Sequence, residues 1–130
     1  MMFLIQGVFL QSEAERESLV EQNLHKSTYH GMIEIYTDPA EESRLKGEMF
    51  DFYGAAWIFN IIISEQELLF TKRYSCSTNG LATFKYKFKR QDNFYVGECE
   101  ELLPNGTSGE KRGTKCILTE VPDDFFIEPQ

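Results

Sequence analysis

The chain has 130 residues, 42% of them hydrophobic and 14% aromatic, which is enough apolar content for one folded domain over residues 1–130 and too much for a disordered chain. The formal net charge is −8 at pH 7, and residues 1–70 carry twelve acidic against four basic side chains. A field of that sign repels phosphate backbones and anionic lipid surfaces, so the expected partners exclude nucleic acid and membranes and admit a basic protein.

The opening residues 1–10 are apolar but lack a basic leading region and a small-residue cleavage site, so they do not read as a signal peptide. Neither they nor residues 57–63 are long enough to span a bilayer. Three cysteines without a short paired spacing fit a reduced, cytoplasmic setting, with the thiols serving as small core residues.

Residues 2–10 read as a strand. Ser12-Glu13-Ala14-Glu15 then matches a capping box, so a helix is expected over residues 13–24, with Leu19, Val20 and Leu24 as its apolar stripe. A strand over residues 28–36 ends at Asp38-Pro39, and residues 40–44 are expected to form one helical turn. Further strands are expected over residues 45–53, 57–64, 67–74, 81–90, 94–102 and 113–121. The turns between them are Gly54 with Ala55, Ser64-Glu65-Gln66, Asn79-Gly80, Asp92-Asn93 and the longer 104–109 segment. Phe84, Tyr86 and Phe88 alternate with Lys85, Lys87 and Lys89, which puts one face in a core and the other in water. The run from Trp57 to Ile63 does not alternate, and is expected to be covered on both faces or to lie in the middle of a sheet.

Gly7, Gly31, Gly47 and Gly97 each fall inside a strand, where glycine marks bulges and sharp bends. The pattern is mainly β: an antiparallel up-and-down barrel or strongly curved sheet of about eight strands with one N-terminal helix. A first strand carrying Gly7-Val8-Phe9, a helical segment and a meander of strands resembles the calycin architecture of lipocalins and intracellular fatty-acid-binding proteins. The lipocalin Gly-x-Trp is Gly-Val-Phe here. The Arg-x-Tyr carboxylate clamp of fatty-acid-binding proteins has no match in Lys115-Cys116-Ile117-Leu118-Thr119-Glu120. The resemblance implies a barrel with a central pocket and carries over no ligand contact.

No catalytic, metal or cofactor signature stands out. His25 and His30 with Cys99 and Cys116 lack the tight ligand spacing of a zinc site, although the two cysteines would face each other across the last hairpin. Cys76 lies in a loop with only Lys72 and Arg73 nearby to activate it. Glu98 and Glu100 share a sheet face that is expected to point outward, because charges are rarely buried without partners. The basic stripe Lys85, Lys87, Lys89 and Arg90 is expected to pair with acidic neighbours, since its aromatics lie on the opposite face and cannot stack bases beside it. Two functional readings follow. In the first, the chain is a small non-catalytic binding protein enclosing an apolar small molecule, lined by Phe50, Phe52, Trp57, Phe59, Phe84, Tyr86 and Phe88. In the alternative, it is an acidic interaction module of the inhibitor, immunity or adaptor type, which presents its negative half to a basic partner. An enzyme of unknown reaction is a third reading without a motif behind it.

Overall fold

A computed structural model describes residues 1–10, 26–51, 54–75 and 83–122, with the backbone alone at 8–10, 26–29 and 110–115. Eight strands run in chain order: β1 (Met2–Leu10), β2 (Lys26–Asp38), β3 (Glu41–Asp51), β4 (Gly54–Ile63), β5 (Glu67–Tyr74), β6 (Thr83–Gln91), β7 (Phe94–Leu102) and β8 (Ser108–Val121). Each pairs antiparallel with its neighbours in sequence, and β8 returns to β1, closing an up-and-down barrel. The expected helix at 13–24, the Asn79-Gly80 turn, His25, Phe52, Cys76 and the tail 123–130 lie outside the described residues.

Alternation decides what fills the barrel. Phe3 and Ile5 of β1, Ile33 and Ile35 of β2, Leu68 and Phe70 of β5, and Phe84, Tyr86 and Phe88 of β6 all point inward and are buried. Cys99 and Cys116 come from β7 and β8 into the same core. The lysines of β6 point outward, as the alternation requires: Lys85 and Lys87 stand opposite Glu100 and Glu98, and Lys87 Nζ lies 3.9 Å from Glu100 Oε1. Glu98 is exposed and Glu100 half-buried, on the outer face where the sequence placed them.

Glycine permits the coiling that closure needs. At Gly97 a Cβ would collide with the Lys87 carbonyl oxygen, and at Gly31 with that of Phe50, so the strands approach at both points more closely than a side chain allows. The β7–β8 ladder slips immediately after Gly97.

Three expectations are corrected. Residues 40–44 form no helical turn: Pro39 and Ala40 make a tight turn, Asp38 pairs with Glu41, and β3 starts there. The Asp38 carboxylate accepts from the Ala40 amide at 2.9 Å, which holds its pKa below the usual carboxylate value. Gly54 and Ala55 belong to β4 and pair with Asp51 and Phe50. The run from Trp57 to Ile63 lies within the sheet, between β3 and β5, and is not covered on both faces, because Trp57 and Ile62 are exposed. Its alternation is broken by a bulge: Phe59 pairs with Thr71 and Ile62 with Leu69, and Asn60 between them has φ 53°. Ala56 and Ile58 point inward before the bulge, and Ile61 and Ile63 pack on the core after it.

Gly97→Ala is expected to cost about 3 kcal/mol or more in urea unfolding. Gly109→Ala, whose nearest neighbours to a Cβ are a Leu103 methyl at 3.2 Å and Glu101 atoms at 3.3 Å, is expected to cost under about 1 kcal/mol. Equal losses would show that the close approach at Gly97 does not set the coiling.

Candidate functional site

The inward face of β5 reads Leu68, Phe70, Lys72, Tyr74, so period-two alternation carries a lysine into an aromatic interior. Lys72 is 3% exposed. Its Nζ donates to Asp51 Oδ2 at 3.0 Å and to the Tyr74 hydroxyl at 2.8 Å, and that hydroxyl donates to the same carboxylate oxygen at 2.6 Å. Asp51 stands opposite Gly54 and Lys72 opposite Ile58, so the contact crosses β4 on the diagonal, past Ala56. Rings of Tyr74, Phe84 and Tyr86 lie 4.4, 5.1 and 5.3 Å from the ammonium. Burial pushes the Lys72 pKa below its ordinary value of 10.5, against the opposing pull of the Asp51 charge.

The described aromatic side chains inside pack on one another. Phe70, Tyr86 and Phe88 stack with ring centroids 4.9 to 5.9 Å apart, and Phe3 meets Tyr95 edge-on at 6.1 Å. A hydrogen bond with the Cys116 thiol, together with burial, raises the Cys99 pKa far above the ordinary thiol value, so this pair is a packed and unreactive one.

Of the seven residues expected to line one interior surface, Phe84, Tyr86 and Phe88 face the core and pack on their neighbours. Phe50 and Trp57 are about half exposed on the outer wall, and Phe59 lies on that wall with the Arg73 guanidinium 5.4 Å from its ring. Phe52 is outside the described residues. The seven therefore share no single surface. Adjacent residues on a strand must face opposite ways, so burying Met49 and Ile58 turns Phe50 and Trp57 outward.

On the outside, the pairing aligns a second constellation. Leu4 stands opposite Met32, Met32 opposite Phe50 and Phe50 opposite Ala55, an apolar row across β1 to β4. The next row along holds Met2, Glu34, Glu48 and Trp57, each opposite the one before. Leu4, Met32, Phe50 and Trp57 are all exposed. An open groove of about 430 Å³ runs past Leu4, Gln6, His30, Met32 and Phe50, and a smaller hollow beside it is lined by Glu48, Phe50, Ala55 and Trp57. Glu34 and Glu48 face each other directly, an arrangement of like charges that costs stability in a sheet.

Among the described residues no group of three or more His, Cys, Asp or Glu side chains could hold a metal ion, and no helix is long and apolar enough to cross a membrane. His30 is exposed on the outer wall, apart from the buried Cys99 and Cys116. In comparisons with known proteins, no family model, no curated protein and no solved structure matches the chain.

Asp51→Leu is expected to destabilise the barrel by about 3–5 kcal/mol, since it leaves the Lys72 charge in the core without its carboxylate. Adding Lys72→Met should recover most of that loss in urea unfolding. The Lys72 pKa is lowered on folding, so the unfolded chain binds the extra proton between the folded value and 10.5. Relative to a Lys72→Met variant, wild-type stability should therefore rise with pH as 10.5 is approached from below. A gap between the two that falls over that window would contradict the assignment.

Proposed function

We propose that this chain is a small non-catalytic binding protein that takes a basic protein partner on the outer wall of β1 to β4. The observation that carries the reading is the exposed apolar row Leu4, Met32 and Phe50, continued by Trp57 and bordered by Glu34 and Glu48. Large side chains that are not needed to fill the core mark an interaction surface when they are contiguous and rimmed by charge. The excess of acidic over basic residues in the first 70 positions supports a cationic partner through steering and complementarity.

The meander order and closure support a calycin-like architecture, and with it a second reading in which an apolar small molecule is enclosed by the barrel. That reading draws on Phe84, Tyr86 and Phe88 facing inward, and it requires the Phe70–Tyr86–Phe88 stack to part. The outer-wall reading needs no such rearrangement. Nothing in the cluster around Lys72 supplies a substrate path, because the ammonium, carboxylate and hydroxyl are engaged with one another and buried.

The test compares wild type with a Phe50→Ser/Trp57→Ser double variant as baits in a cell extract, with captured proteins identified by mass spectrometry. The reading expects one or a few basic proteins enriched by wild type, lost with the double variant and lost at high salt. Equal capture by both baits, or capture insensitive to salt, would overturn it.

A further inference from the structure

We infer that the partner presents a basic amphipathic helix, whose apolar stripe lies across strands β1 to β4 along the row Leu4–Met32–Phe50 and whose cationic flank meets Glu34 and Glu48. The inference rests on the outer-wall reading and deepens it by naming the partner's form and charge.

Strand pairing gives the first argument. Along the row itself β1 to β4 are paired residue by residue, so a partner cannot add a strand there. Binding has to proceed through side chains on the wall. Neighbouring strands lie about 4.8 Å apart, so the row from Leu4 to Ala55 spans roughly 14 Å and offers an anchor at each step. A helix pitch of about 5.4 Å matches that repeat, and about ten helical residues cover the row. Side chains at i, i+3, i+4 and i+7 then fall on Leu4, Met32, Phe50 and Trp57.

Charge supplies the second argument. Glu34 and Glu48 stand directly opposite on β2 and β3, one strand position along from Met32 and Phe50. Two cations beside this row are turned to other groups: Lys46 Nζ lies 3.4 Å from Asp38 Oδ2, and Arg73, opposite Trp57 on β5, lies over the Phe59 ring. A lysine or arginine on the flank of a docked helix would relieve the carboxylate repulsion, which no acidic occupant can do. The chain's own segments of undescribed placement are poor occupants by the same rule. Residues 11–25 carry Glu13, Glu15, Glu17 and Glu21 against Arg16, and the tail carries Asp123, Asp124 and Glu128. A second copy would bring Glu34 and Glu48 against their own kind if the same face were used by both.

Trp57 is the one tryptophan of the chain and is 53% exposed in the adjoining row, beside Glu48, so its emission reports on docking. The probe is a synthetic leucine–lysine peptide of about 18 residues, long enough to hold a helix, with leucine at the i, i+3, i+4 and i+7 spacing. The expected result is a shift of Trp57 emission to shorter wavelength on titration. Affinity should fall about tenfold or more with Phe50→Ser. It should fall by a similar factor with Glu34→Gln/Glu48→Gln, a variant that should unfold at a higher urea concentration than wild type, so that lost binding is separated from lost folding.

A leucine–glutamate peptide of the same pattern, and a scrambled leucine–lysine peptide without an apolar face, are expected to bind far more weakly. No emission shift, or equal affinity for the acidic or scrambled peptide, would overturn the inference. So would a concentration-dependent dimer that Phe50→Ser dissolves, which would assign the face to a second copy. If the peptide fails while the extract bait still recovers a basic protein through Phe50 and Trp57, the helix falls and the outer-wall reading stands. Failure of both removes the reading itself.

Discussion

Closure of the eight-stranded sheet is the constraint on which the rest of the molecule depends. Once β8 pairs with β1, the strand order closes on itself and each strand has one face inside and one face out. The interior accepts a fixed volume of side chains, and Phe3, Phe70, Tyr86, Phe88 and the aliphatic residues around them occupy it. Large residues on the other face of the same strands are left on the surface. Phe50 and Trp57 are outside because Met49 and Ile58 are inside, so the apolar outer row is a consequence of how the core is filled. What selection can adjust is whether such outward positions are polar, and in β1 to β4 Leu4, Met32, Phe50, Trp57 and Ile62 are large, apolar and exposed.

The interior is not uniformly apolar: among the described residues it holds the charged pair Lys72 and Asp51. Lys72 and Asp51 share hydrogen bonds with Tyr74 and are surrounded by rings, so the two charges are compensated locally. A buried pair of this kind adds less stability than an apolar replacement of the same shape would, while breaking it is expensive. Its effect here is to tie the end of β3 to β5 across β4, two strands that do not hydrogen-bond to each other. The device fixes the register at that end of the barrel through side chains alone.

Much of the fold is legible from residue order. The strands Glu67–Tyr74 and Phe94–Leu102 have the bounds that their flanking turn residues give them, and Asp92-Asn93 makes the tight connection between β6 and β7, with Asp92 at φ 55°. The alternation in β6 reads directly as core and solvent. What escapes is whatever interrupts the period of two. Asn60 inserts one residue into β4 and makes Trp57 to Ile63 look uniformly apolar, although two exposed faces lie within it. Pro39 after Asp38 suggests a helix start, whereas the Asp38 carboxylate caps a turn between strands. Strand β8 begins at Ser108 rather than at Gly113, since the charged stretch before Gly113 carries no apolar signal.

The candidate surface was partly readable. Phe50 and Trp57 can be singled out by their size, but assigning them to the interior requires ignoring that Met49 and Ile58 compete for it. Leu4 and Met32 join them only through cross-strand register, which no local pattern encodes. Lys72 was readable in principle, as the third inward position in Leu68-x-Phe70-x-Lys72-x-Tyr74. The proposed binding surface on the outer wall requires an interior filled by the chain's own side chains. Native mass spectrometry of the purified protein, before and after organic extraction, tests this most directly. A single mass equal to that of the bare chain, unchanged by extraction, is the predicted result; a small-molecule adduct that extraction removes would contradict it and return the function to the inside of the barrel.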